Sequence, residues 1–307
     1  GVVCAPAGLE RGELSRILLS GDVEAFRPEK LHAGAFLLYR NQRRTEGLRE
    51  LYKRVDRTEG GVVPSWVTMD EFYKEFDGLL FTVPADLFIP AGGRPETVDG
   101  GNWTRFFGED GKPTARVVVE GANSFITPEA RTELQKRGMV ILRDASANKC
   151  GVISSSYEII ANLLMTEKEF LSNKEEYVAD VLAILEQRAG DEAELIFRRK
   201  RENPERSYTE ISDAVSVEIN RHYARLFDYF QARPELALAN PYRKALLAHL
   251  PRFLREHPKF RLRVPKLPVK YRSAILASEI ASTIVYREGF ETNFDADLRN
   301  YLGKMFG

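Results

Sequence analysis

The stretch from Val117 to Glu158, VVVEGANSFITPEARTELQKRGMVILRDASANKCGVISSSYE, constrains this chain more than any other. Val117, Val118 and Val119 form a continuous β-branched run, the pattern of a strand buried on both faces in a parallel sheet. Gly121-Ala122-Asn123 follows at its carboxyl end. Thr127 can cap the next helix, Pro128 suits its first position and Gly138 can end it. Met139 to Leu142 is a second apolar run. Asp144, Asn148 and Gly151 form another polar loop, and Ser155 to Glu158 opens a further helix. The expected result is strand, loop, capped helix, strand, loop, helix. In open α/β sheets ligands bind outside the carboxyl ends of the strands. The loops around Asn123 and Asn148 both lie at such ends.

Around this centre the chain divides in two. Gly1 to Cys4 reads as the tail of a strand or the loop after it. Gly8 to Leu19 reads as a helix with Leu9, Leu14, Ile17 and Leu18 on one side. Ala35 to Tyr39 is a short strand candidate. Asn41 to Thr58 is charged and reads as exposed loop, with a helical piece near Leu48 to Val55. Thr68 and Glu71 form a capping box for a helix from about Met69 to Phe76. Asp86 to Ile89 is a third strand of the sheet. From the capping box Thr166/Glu169 onward, amphipathic stripes predict helices over Tyr177–Gln187, Ile211–Phe230, Pro241–Glu256 (with Asn240 as cap) and Tyr271–Tyr286. The breaks between them are expected at Gly190, Pro204, Pro234 and Pro258 to Pro268. The basic run Phe197 to Arg201 reads as a solvated helix face. The expected fold class is therefore α/β: a partial Rossmann-like parallel sheet domain over residues 1–165, then an all-helical extension over 166–307.

Composition narrows the function classes. A net charge of zero gives no general attraction to nucleic acid or to an anionic membrane. No apolar run approaches the roughly 20 residues that span a bilayer. Cys4 and Cys150, the two cysteines, give no disulfide framework, which fits a reducing, cytoplasmic compartment. His32, His222, His249 and His257 show no metal-ligand spacing. Cys150 has no histidine near it in sequence and reads as a packing residue.

The central motifs carry a resemblance. VVEGAN, the TPEA helix, RGM with its apolar strand, and DASANKCGVISSSYE resemble the second half of the nucleotide domain of glutamate dehydrogenases. Ala85 to Glu96, ending in GGRPE, resembles the preceding strand of the large NAD-specific branch. The likeness is dense from about Ala85 to Leu164. Arg143 stands where the family pattern has Pro, and Lys149-Cys150 where it has Ala-Gly. The resemblance implies NAD as cofactor and glutamate with 2-oxoglutarate as substrates. It implies a homo-oligomer, and the carboxyl-terminal part of a larger protein whose amino-terminal part supplies the glycine-rich turn and the catalytic lysine. On that expectation the chain alone holds no catalytic residue and no dehydrogenase activity.

The resemblance assigns Asn123 to the nicotinamide ribose region, Asn148 to the nicotinamide amide, and Gly92 and Gly93 to the ribose or pyrophosphate. Ser155 would reach a substrate carboxylate from its helix start, with Val152 lining the pocket. Asparagine suits a carboxamide because it offers a donor and an acceptor, and glycine lets backbone approach a ligand. The residues alone leave other roles open. Asn123 and Asn148 can be turn formers, Ser155 a helix cap, Asp144 a loop orienter and Glu120 a structural group. A leucine- or phenylalanine-type dehydrogenase and a non-catalytic cofactor-binding or oligomerisation module are the alternative functions.

Overall fold

A computed structural model describes residues 2–5, 8, 10–92 and 94–306. Its contacts group into two compact units. One is the chain up to Ala85 together with Arg105–Thr114; the other is Asp86–Thr104 with everything from Ala115 onward.

The first unit is built on an antiparallel sheet. Strands β1 (Val2–Cys4), β2 (Phe36–Glu46), β3 (Arg49–Thr58) and β4 (Gly61–Val67) pair in sequence order. Every pairing is antiparallel. Short turns join β2 to β3 and β3 to β4, with Gly47 at φ 61° in the first. Strand β2 alternates across the sheet. Phe36 and Leu38 face Phe72 of helix α2 (Met69–Leu79). Leu37 and Tyr39 join Phe26, Leu31, Val55 and Ile17 of helix α1 (Arg11–Ser20). Helix α2 begins with the expected capping box.

Two expectations fail here. Asn41 to Thr58 is two strands, not an exposed loop with a helical piece. Its charges sit on the sheet itself: Arg54 lies over the Phe36 ring at 4.2 Å and pairs with Glu75 at 2.6 Å. Long cationic stems cover the apolar surface while their heads are paired. In α1 the leucine side is outward, with Leu18 74% and Leu19 91% exposed. The buried face is Ile17 and Glu13, whose carboxylate bonds Arg16 and Arg27 and is held far below the usual range by them. Leu9 lies outside the described residues.

The second unit holds the expected three-stranded sheet, in the order β5 (Ala85–Phe88), β6 (Ala115–Val119), β7 (Val140–Leu142). Strands β6 and β7 run parallel, Val118 opposite Ile141, both fully buried. The crossover is helix α3 (Pro128–Lys136), capped by Thr127, whose hydroxyl accepts Ala130 N–H, and stopped before Gly138 at φ 89°. After β7 come α4 (Asp144–Ala147), α5 (Lys149–Leu164), α6 (Glu167–Ser172), α7 (Lys174–Glu202) and α8 (Tyr208–Ala232). Then follow α9 (Tyr242–His249), α10 (Arg252–Glu256), α11 (Pro258–Arg261), α12 (Val269–Glu288) and α13 (Phe294–Phe306). Helices α5, α7, α8, α9 and α12 share one core around Tyr157, Leu226, Leu246 and Ile280.

The helical half differs from expectation in three places. Gly190 does not break α7, because Leu195 and Ile196 carry its buried face onward. The predicted helix Pro241–Glu256 is two, α9 and α10, divided at Leu250-Pro251 where the ring removes a donor, and Asn240 does not cap it. The basic run is not simply solvated. Arg198 donates to the Tyr286 and Arg287 carbonyls at the end of α12, and Arg199 to Phe290 O. A helix's last carbonyls need such partners.

Candidate functional site

The carboxyl ends of β5 and β6 carry loops, and that of β7 carries the short helix α4 where the sequence predicts a loop over Asp144, Asn148 and Gly151; the three bond to one another. After β5, Pro90 O accepts Ala122 N–H at 2.7 Å. A side chain at Gly121 would bring its Cβ 3.1 Å from that same oxygen, so glycine allows the two loops to lie this close. After β6, Glu120 is fully buried and accepts Ile126 N–H at 3.0 Å and both Arg131 donors at 2.9 and 3.1 Å. It is structural, as one sequence reading has it. Ser124, at φ 51°, gives its N–H to Asp144 Oδ2 at 2.9 Å. Burial alone would raise the Asp144 carboxyl; the N–H groups of Ser124 and Ala145, with the Arg143 guanidinium, outweigh it and hold the group below its ordinary value. Asp144 thus orients the β6 loop from the end of β7. Ser124 was not among the expected site residues; its backbone role leaves no side-chain signature.

Asn123 and Asn148 meet. The Asn148 amide donates to Asn123 Oδ1 and, at 3.4 Å, to Gly121 O. The pair uses Asn148's donors and Asn123's acceptor. Among the described residues these bonds leave the Asn123 Nδ2 donor and the Asn148 Oδ1 acceptor for a ligand. A nicotinamide carboxamide presents the complementary set, and these residues fit that group. Gly92 is exposed at φ 95° with open space where a Cβ would be; its conformation, not crowding, calls for glycine. Gly93 lies outside the described residues.

Val152 and Ser155 are both exposed, three residues apart on α5, which Asn148 immediately precedes; Ser155 does not line the cavity that Val152 and Asn148 share. Val152 is 76% exposed and, with Asn148, lines a cavity of about 430 Å³ whose far wall is Ser216 and Asn220 of α8 and Ser282 of α12. Ser155 is not at a helix start. Helix α5 opens at Lys149, and the Ser155 hydroxyl donates back to Gly151 O at 3.3 Å. Serines in a helix satisfy themselves this way. Capping is therefore excluded for Ser155, and so is support from a helix N-terminus for a carboxylate there.

Cys150 is a free, half-buried thiol that burial and Glu192 push up, against Lys149; this disfavours the thiolate a nucleophile needs. Among the described residues no group of three or more histidine, cysteine or acidic side chains is placed to hold a metal ion. Among them, too, no helix is long and apolar enough to cross a membrane.

Polar loops gathered at the carboxyl edge of a parallel sheet, with helices behind, are the architecture of the α/β dehydrogenases. The chain belongs to the Glutamate/Leucine/Phenylalanine/Valine dehydrogenase family, whose model matches residues 27–200. It is 30% identical over 300 residues, 94% of this chain and 25% of the relative, to a probable NAD-specific glutamate dehydrogenase of Schizosaccharomyces pombe. It is 34% identical over 220 residues, 68% of this chain and 21% of the relative, to glutamate dehydrogenase 2 of Dictyostelium discoideum. The NAD-specific glutamate dehydrogenase of Saccharomyces cerevisiae is 29% identical over 316 residues, 95% of this chain and 27% of that protein. The chain thus spans about a quarter of the length of these relatives. No solved structure matches it.

Proposed function

We propose that this chain is the nicotinamide-facing part of an NAD-dependent glutamate dehydrogenase, which oxidises glutamate to 2-oxoglutarate and ammonia. The observation that carries the reading is the Asn123–Asn148 pair at the sheet's carboxyl edge, with its unpaired donor and acceptor. In this reading Asn148 holds the nicotinamide amide and Asn123 the adjoining ribose. Gly92 and Gly93 give backbone access to the ribose or pyrophosphate, and Val152 and Ser155 face the substrate. NAD supplies the hydride acceptor; these residues orient it, and none of them moves a proton. Residues 1–165 are taken as the cofactor-facing part and 166–307 as a helical extension. The longer protein is taken to be a cytoplasmic homo-oligomer.

The test is NADH formation at 340 nm by the full-length protein with NAD and glutamate, with leucine and phenylalanine as competing substrates. Leucine or phenylalanine turning over faster than glutamate would move the reading to a sister activity. No turnover with any of the three would sink it.

A further inference from the structure

The two departures from the family pattern, at Arg143 and at Lys149-Cys150, are one feature in space. Arg143 pairs with Asp213 of α8, and Ser146 bonds Ser212 beside it. Lys149 Nζ lies 2.6 Å from Glu192 Oε1 of α7. Glu192 is buried, and its other oxygen accepts the Tyr286 hydroxyl of α12 at 2.9 Å. Cys150 Sγ reaches the Leu185 carbonyl of α7 at 3.6 Å. Each of these side chains has a partner in the helical half. Asn148, between them, instead gives its amide to Gly121 and Asn123.

The backbone at Asn148 has φ −113° and ψ 8° and interrupts the run from α4 to α5. Its side chain is therefore aimed by how its neighbours are held, not by a continuous helix. A buried carboxylate such as Glu192 is costly without a cation, so the Lys149 ammonium is tied to one place. That place fixes the residue directly after Asn148.

We propose that Lys149 is a positioning residue: through Glu192 and Tyr286 it holds the Asn148 carboxamide in the aim that receives the nicotinamide half of the cofactor. Helices α7 and α12 then take part in the cofactor site through Glu192 and Tyr286. The proposal rests on the NAD reading above and adds to it a residue the family pattern lacks.

The experiment uses the full-length protein and two ligands, NADH and ADP-ribose, which lacks the nicotinamide. Binding is followed by NADH fluorescence and by calorimetry, alongside the thermal midpoint. Lys149→Ala should weaken NADH about tenfold, the cost of mis-aiming one polar contact, and leave ADP-ribose within about twofold. Lys149→Arg, which keeps a cation near Glu192, should recover most of the loss. If Lys149→Ala fails to fold, Tyr286→Phe keeps the ion pair and should still weaken NADH about threefold without changing ADP-ribose. Equal weakening of both ligands, or a lowered midpoint with unchanged NADH affinity, overturns the proposal and leaves the NAD reading intact. A wild-type protein that binds neither ligand overturns both.

Discussion

The two sheets of this chain handle charge in different ways. In the three-stranded sheet, Val118 and Ile141 are fully buried between layers, and charge enters as the dry pair Glu120–Arg131. In the four-stranded sheet, Leu37 and Leu38 are as fully buried, but cations also cover part of the surface. Arg54 lies over Phe36, Arg44 over Trp66 at 4.7 Å and Lys53 over Tyr39 at 5.2 Å. The carboxylates that pair with Arg54, Asp56 and Glu75, are partly exposed. A dry ion pair fixes geometry and is costly to break; a wet one screens readily and tolerates change. The site residues sit where the dry construction holds loops in place.

Removing half of the dry pair should have the largest effect. Glu120→Ala leaves Arg131 charged and buried and should destabilise the folded state by about 3 to 5 kcal/mol, read by urea denaturation. A loss under about 1 kcal/mol, the range of exposed pairs, would erase the contrast between the sheets.

The same construction recurs among the helices, where pH can probe it. Burial would raise the Glu279 carboxyl, but the His249 ring and Arg188 outweigh it and hold it at about 2. A depressed carboxyl stabilises fully above its ordinary value of 4.5 and loses that contribution as pH falls from there toward about 2. Between those limits the fold should lose on the order of 3 kcal/mol more than a Glu279→Gln variant does. Parallel stability-against-pH curves for the two proteins would contradict this.

Next in size is the ligand edge. In the full-length protein Asn148→Ala should weaken NADH binding by about 1 to 3 kcal/mol, the cost of unpairing a polar partner. Unchanged NADH affinity would remove Asn148 from the cofactor site.

The cationic cover should give the smallest response. Arg54→Ala is expected to cost about 1 to 2 kcal/mol, since partly exposed carboxylates remain hydrated once freed. Arg49→Ala, which removes an exposed pair with Glu71, should cost least of all and lose even that in molar salt. An Arg54 effect as large as that of Glu120 would mean the four-stranded sheet is also held by dry charge.

The contrast also sets what can be read from residues alone. The parallel strands were legible as apolar runs, as in Val117 to Val119, although only Val118 of that run is buried and burial on both faces does not hold. The cap at Thr127, the stop at Gly138 and the capping boxes at Thr68 and Thr166 were legible because each uses local chemistry. Strand β3 was not, because RELYKRVDRT shows alternation only at Leu51 and Val55, and its charges look like those of a loop. At the site, strand-end convergence brought Asn123 and Asn148 together from sequence positions 25 apart. The start of α5 was misplaced because Asn148 interrupts the helical run without a proline or glycine to announce it. The roles of Arg143 and Lys149 could not be seen at all, since their partners Asp213 and Glu192 are distant in sequence. Their disagreement with the family pattern was the signal available.

The tight turns of the β2–β3–β4 meander have a consequence for the order of folding. Joining neighbouring strands through a couple of residues closes small loops, on the microsecond scale of a hairpin. Pairing β6 with β7 must wait for the whole of α3 to fold back, a larger loop with more entropy to surrender first. On refolding, amide protons of Leu51 to Asp56 should be protected from exchange earlier than those of Val117 to Val119. The sheet that carries the proposed chemistry would then be the later of the two to assemble.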